Sequence, residues 1–280
     1  MSSAIQQILV HLDASAKRSS ARLHIARQLA HQHGAALAAL YAVAPSFVAL
    51  PYPPQGGLGL GINMPAIDEE RRALAKAAFD EAMKKSGAPA SWGALGEGTY
   101  REAFARQALY ADLVVLGQHD PSDKEPAGVA ADFAESVLAA SGKAALIVPW
   151  TGVQRDVGDT VVVAWKETPE SARAVAAAMP LLQRARRVHV VTWSPAEAGT
   201  GGTGLSLDTY LRAHQVQPVW HRYGDEPSHL GELLLSSTFD LEADLLVMGC
   251  YGHSRAREWV LGGISRTVLQ SMTLPVLMAH

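Results

Sequence analysis

The chain has 280 residues, 48% of them apolar and 18% charged, with a net charge of about −3. That is enough apolar material for one large core or two ordinary ones, and too little positive charge for a general nucleic-acid or membrane-surface binder. The one cysteine, Cys250, excludes an intramolecular disulfide and fits a reducing cytoplasm.

Met1 to Ile5 has no basic or apolar leader pattern, so no signal peptide is expected. Ala35 to Leu50 is the most apolar run, but Pro45 breaks it and prolines 51, 53 and 54 follow, so no spanning helix is expected either. Ile5 to Leu12 lacks alternation and reads as a strand covered on both faces. Ser19 to His33 has helical spacing, with Leu23, Ala26 and Ala30 on one stripe, arginine and histidine elsewhere, and Gly34 as a stop. Ala35 to Val43 is a second strand. Pro45 to Pro65, crowded with proline and glycine, reads as a long irregular loop. A helix is expected over 68–86, a weak strand over 90–95, a helix over 100–109 capped by Thr99, a strand over 112–116, a helix over 133–140 and a strand over 144–148.

After the polar stretch 150–158 the pattern restarts. Strands are expected at 160–164, 187–192, 216–223, 244–247 and 274–278. Helices at 169–184, 205–214, 227–239 and 264–271 alternate with them. The halves also match in sequence. Ala111-Asp112-Leu113-Val114-Val115-Leu116-Gly117 lines up with Ala243-Asp244-Leu245-Leu246-Val247-Met248-Gly249, and Ser136-Val137-Leu138 with Thr267-Val268-Leu269. This is an internal duplication. Alternating strands and helices imply an α/β fold of two tandem Rossmann-like domains, 1–149 and 159–280, each an open five-stranded parallel sheet with helices on both faces. Ligands on such sheets bind at the carboxyl ends of the strands.

The segment from Gly249 to Arg266 lies at such an end. Two residues separate Gly249 from Gly252 and nine separate Gly252 from Gly262, and Gly263 and Ser265 open the next helix. A glycine-marked loop running into a helix N-terminus is a cradle for an anion, because its backbone N–H groups and the helix dipole point at the same place. His253 and Arg255 stand in that loop either as anion contacts or as a solvated turn.

This Gly-x2-Gly-x9-Gly spacing, with its flanking strands and the duplication, resembles the universal stress protein family in its fused two-domain form, over roughly 4–149 and 159–280. The resemblance implies a cytoplasmic binding and signalling module. It also implies that some members bind ATP, with the glycine loop around the phosphates and the end of the first strand near the sugar and base, and that dimers often use the last strand. Gly249, Gly252 and Gly262 match the phosphate loop, and Ser265 matches a hydroxyl at the helix start. Gly263 stands where the family has Ser or Thr and keeps only the backbone donor. Lys166 stands where the family has an acid after the first strand; lysine cannot accept a hydrogen bond, but it can reach a phosphate. In the first half Asp13 keeps the acid, yet the loop Gly117 to Asp123 lacks the second glycine, and Asp120 and Asp123 would repel phosphate. The nucleotide, ATP or another adenine nucleotide, is therefore expected in the second half only, with magnesium left open.

Trp165 and Trp193 end the first two strands of that half; they either stack on a base or fill its place. Asp13 is either a helix cap or a ligand contact. His229 and Glu232 have a metal-like spacing but no third ligand, so no metal site is expected. No phosphate-loop lysine motif, nucleophile elbow or full catalytic set appears, which leaves enzymatic activity undecided. The leading expectation is a stress-response nucleotide-binding module, a homodimer or a pseudo-dimer of its two halves. The alternatives are a partner-binding protein with an occluded pocket and a weak ATP hydrolase.

Overall fold

A computed structural model describes residues 5–49, 61–84, 89–95, 99–123, 128–153, 155–193, 204–250 and 263–280. The first half runs β1 (Gln7–Leu12), α1 (Ala16–His33), β2 (Ala36–Tyr41), β3 (Phe47–Ala49), β4 (Gly61–Asn63), α2 (Pro65–Met83), β5 (Ala90–Ala94), α3 (Tyr100–Ala108), β6 (Leu113–Gly117), α4 (Phe133–Ser141) and β7 (Ala145–Val148). The second runs β8 (Thr160–Ala164), α5 (Pro169–Leu182), β9 (Arg187–Trp193), α6 (Leu207–Ala213), β10 (Pro218–Tyr223), α7 (Leu230–Asp240), β11 (Leu245–Gly249), α8 (Gly263–Ser271) and β12 (Val276–Ala279).

The two five-stranded sets are one ten-stranded sheet, ordered β10-β9-β8-β11-β12-β7-β6-β1-β2-β5. Within this sheet every pairing inside a half is parallel, while β7 and β12 meet antiparallel, Ile147 opposite Val276 and Ala145 opposite Met278. The last strand of each repeat thus covers the open edge of the other, which removes two unpaired strand edges. The strand ends that carry ligands in such folds lie at opposite edges of the sheet in the two halves. Buried side chains of α1, α2, α5 and α6 share one core layer, and those of α3, α4, α7 and α8 share the other. Equivalent helices therefore lie on the same face, as a twofold axis perpendicular to the sheet requires.

Local chemistry sets the ends of the elements. Ser15 caps α1 by accepting from the Arg18 N–H, and Gly34 closes it at φ 66, a left-handed conformation that a side chain disfavours. Helix α2 begins at Pro65 rather than at 68, since proline suits the first turn, where no N–H is needed. Thr99 sits at the start of α3 but its side chain caps nothing there; its hydroxyl is engaged by Glu102. The stretch expected as an irregular loop contains a short antiparallel pair, β3 with β4, while 50–60 lie outside the described residues. Asp112 accepts from the Gln6 and Gln7 N–H groups, and Asp244 accepts from those of Gly158, Asp159 and Thr160. One aspartate per repeat thus ties the entry of the first strand to the start of the fourth. Asp244 is spent at the amino end of its strand, away from the carboxyl edge.

Candidate functional site

At the carboxyl edge of the second half, β8 leads through Trp165 and Lys166 into Thr168, whose hydroxyl caps α5. Gly249 ends β11 directly beneath that helix start. A Cβ on Gly249 would lie 2.6 Å from the Ser171 nitrogen and 2.7 Å from the Glu170 carbonyl carbon, so only glycine lets the two elements approach. Gly263 opens α8 at the surface, with nothing among the described residues within 4 Å of where a Cβ would stand. Ser265, two residues on and still in the first turn, is buried. Gly252, His253, Arg255 and Gly262 lie outside the described residues.

Lys166 is exposed and donates to Glu226 at 2.8 Å. The two tryptophans separate. Trp165 continues the inward row of Val161 and Val163 and packs into the layer under α5, its indole Nε1 buried without a partner among the described residues. Trp193 continues from Val191 into the opposite layer and stacks on Tyr223 at 5.0 Å. Side chains alternate across a strand, so the parity of these positions places the indoles on opposite faces of the sheet. One base cannot lie against both. Cys250 is buried and its thiol is pushed up to about 12, first by burial and then by the charge of Glu170, which leaves it an inert thiol.

The matched edge of the first half is built otherwise. The pairing registers place Gly117 at the position of Gly249, Asp13 at that of Lys166 and His11 at that of Ala164. Asp13 and Arg22 form a buried ion pair at 2.8 Å, with side chains 5% and 3% exposed. Asp13 also accepts from the Ser15 N–H, and Ser19 accepts from Arg22. Burial, the largest single influence, raises the Asp13 carboxyl; the charges of Arg22 and His11 and the hydrogen bonds from Arg22 and Ser15 together outweigh it and hold the group below its ordinary value. A guanidinium nitrogen of Arg22 rests against Gly117 where a Cβ would stand, and Arg22 Nε is buried without a partner among the described residues.

Arg18 on the same helix binds both Asp120, at 3.2 Å, and Asp123, at 2.5 Å. These acids are therefore not the bare repulsive charges that the sequence suggests. His11 donates through Nε2 to the Ala42 carbonyl and packs against Phe133 and Phe104. Burial first, then the Arg22 charge, lowers it to about 4. The space left among these groups is about 50 Å³, room for a few waters and far below the roughly 300 Å³ or more of a ligand pocket. Asp13 is neither the cap of α1, which is Ser15, nor open to a ligand.

His11, Arg18 and Arg22 were absent from the residues expected on sequence grounds. The signal for Arg22 was its place on one helical stripe with Ser19, Ala26 and Leu29, all buried. At the second edge, His229 and Glu232 are both exposed at the start of α7, and among the described residues no group of three or more metal-ligating side chains occurs.

Residues 229–280 match the model of the Universal stress protein family. No curated protein sequence matches the chain. Among solved structures, a universal stress protein from Archaeoglobus fulgidus DSM 4304 superposes with a TM-score of 0.68 at 16% identity, over 98% of this chain and 97% of its own. A functionally unknown protein from Pseudomonas aeruginosa PAO1 superposes with a TM-score of 0.59 at 15% identity, over 99% of this chain and 92% of its own.

Proposed function

We propose, with residues 229–280 carrying the universal stress protein family and the whole chain its tandem fold, that this is a stress-response binding and signalling protein. Its second half, 159–280, takes an adenine nucleotide, ATP first, at the carboxyl edge, and its first half, 1–149, takes none. The observation that carries this reading is the contrast at the two matched glycines. Gly117 is covered by the Arg22 guanidinium, whereas the nearest described atoms to Gly249 are the backbone and Cβ at the start of α5, and Gly263 meets no described atom within 4 Å. Two helix starts at one strand end supply unpaired N–H groups and positive dipole ends for a phosphate chain. Lys166 adds a mobile cation beside them, and Gly252, Gly262, His253 and Arg255 complete the loop. Because Trp165 and Trp193 face opposite layers, at most one of them lies against the base. The single buried thiol supports a cytoplasmic setting, and no helix among the described residues is long and apolar enough to cross a membrane.

The test is an ATP titration followed by tryptophan emission, with Gly263→Asp as the variant. Aspartate at that site meets no neighbour and favours the helix start, so the fold stays intact while a phosphate is repelled. Wild-type emission should respond at submillimolar ATP, and the variant should lose the response with an unchanged circular dichroism spectrum. No wild-type response up to millimolar ATP would favour a protein that binds a partner without nucleotide, its edge filled by Trp165 and by the Trp193–Tyr223 stack.

A further inference from the structure

Helix α8, whose N-terminus faces the proposed phosphate position, is only nine residues long. Short helices depend on tertiary contacts, and the carbonyls of the last turn have no partner within the helix. Its counterpart α4 solves this locally. Gly142 turns left-handed at φ 62 and sends its N–H back to the Leu138 carbonyl at 3.1 Å. The repeat aligns Leu138 with Leu269, and so places Thr273 where α4 has its glycine. The last helical bond of α8 runs from the Met272 N–H to Val268. The next carbonyl, that of Leu269, instead receives the side-chain amide of Gln118 at 2.8 Å, across the boundary between the halves.

Gln118 directly follows Gly117 and is 5% exposed. Its own N–H donates to the Val148 carbonyl, and its Oε1 accepts from the Trp150 N–H at 3.0 Å. A carbonyl only accepts and a backbone N–H only donates, so these two partners fix which way the amide points. The loop that begins at Gln118 is in turn clamped to α1 through Asp120 and Asp123 on Arg18. The reverse contact is missing, since Cys250, the matched residue of the second half, directs its thiol to Ala279 of its own half.

We infer that Gln118 is a positioning residue: the first half, closed to ligands at its own edge, caps α8 and thereby holds the nucleotide-binding helix of the second half in place. The binding consequence rests on the function proposed above; the capping itself does not.

The experiment uses the full chain with Gln118→Met, which keeps length and burial, and Gln118→Glu read at about pH 9 or above, where the ionised carboxylate keeps the acceptor for Trp150 but has no donor for Leu269. Hydrogen exchange is read over 263–272, with 133–142 as the internal control, and ATP is titrated in parallel. Both variants should exchange about tenfold faster in α8 alone, the effect of losing one buried hydrogen bond. ATP affinity should fall about fivefold through the same loss of order. Exchange in α8 within twofold of wild type for Gln118→Met overturns the inference. So does wild-type protection in Gln118→Glu, which would assign the effect to Trp150. Equal acceleration in α4 and α8 would mean general loosening and also overturn it. A wild type that ignores ATP, together with variants that still show the α8-specific change, sinks the proposed function and leaves the capping standing.

Discussion

Where the first half places Asp13, Arg22 and Gln118, the second places Lys166, Val175 and Cys250. The backbones around these positions are equivalent, and the strands enter in the same 3-2-1-4-5 order counted from the outer edge. The first half buries charge. Its arginine reaches across the strand-end glycine to an aspartate, and a second arginine draws the following loop down onto α1. The second half buries only an apolar side chain at the position of Arg22, Val175 at 2% exposure, and leaves its charges, Lys166 and Glu226, at the surface. One repeat therefore satisfies its edge internally, and in the function proposed above the other keeps its backbone donors for a ligand. Duplication makes this division affordable, because the closed copy can serve as a brace for the open one.

The largest test of that contrast is the buried pair. Arg22→Met should strand the Asp13 carboxylate in the core and cost about 3–5 kcal/mol, seen as a lower urea midpoint with an unchanged m-value. Adding Asp13→Asn should recover most of the loss, since breaking a buried pair costs far more than replacing it. A loss below about 1 kcal/mol would mean that water reaches the pair, and that the first half is as open as the second.

A smaller effect comes from His11, which the second half replaces with Ala164. Its folded value of about 4 lies below the unfolded 6.5, so the unfolded chain binds the extra proton between these limits. The contribution is fully present above pH 6.5 and is lost as pH falls toward 4, with a slope of about 1.4 kcal/mol per pH unit at its steepest and up to about 3 kcal/mol in all. Asp13 is also held low, and its pair is lost only as pH falls below the usual carboxylate range. His11→Gln can still donate to the Ala42 carbonyl and should flatten the slope in denaturation midpoints measured across that window. Burial lowers His189 in the second half as well, so a residual slope remains. If His11→Gln leaves the profile unchanged, acid sensitivity is not a property of the closed edge.

Much of this was legible in the chain. Doubly buried strands show as unbroken runs such as Leu113 to Leu116 and Leu245 to Met248, and the repeat reveals itself in the paired Asp112 and Asp244, which do identical work. The β3–β4 pair was hidden by the proline and glycine around it. The start of α6 was placed two residues early, because the reciprocal bonds between Ser206 and Thr209 outweigh the apolar side chain of Leu205, which is fully exposed. The joining of two sheets through β7 and β12 is a long-range pairing that no local pattern encodes, although a duplicated fold with open edges invites it. At the site, glycine spacing marked the loop. The plug was missed because an arginine on a helix reads as a surface residue, and only the aspartate facing it across the turn makes it a core one.

The smallest expected stability effect, and the sharpest use of the comparison, is at Lys166. It occupies the position of Asp13, but its pair with Glu226 is exposed on both sides. Solvent screens such a pair and side-chain entropy offsets it, so Lys166→Ala should change stability by less than about 0.5 kcal/mol, against several for Arg22→Met at the other edge. A lysine held so weakly is free to leave Glu226 for a phosphate. Lys166→Ala should therefore weaken ATP binding about threefold to tenfold while the denaturation midpoint stays put, and Glu226→Gln should strengthen it by releasing the amine. Both changes should shrink in high salt. Equal ATP affinity in wild type and both variants would place the phosphates away from β8 and leave Lys166 a surface residue; a large drop in stability would instead show that the second edge, like the first, is closed by its own charges.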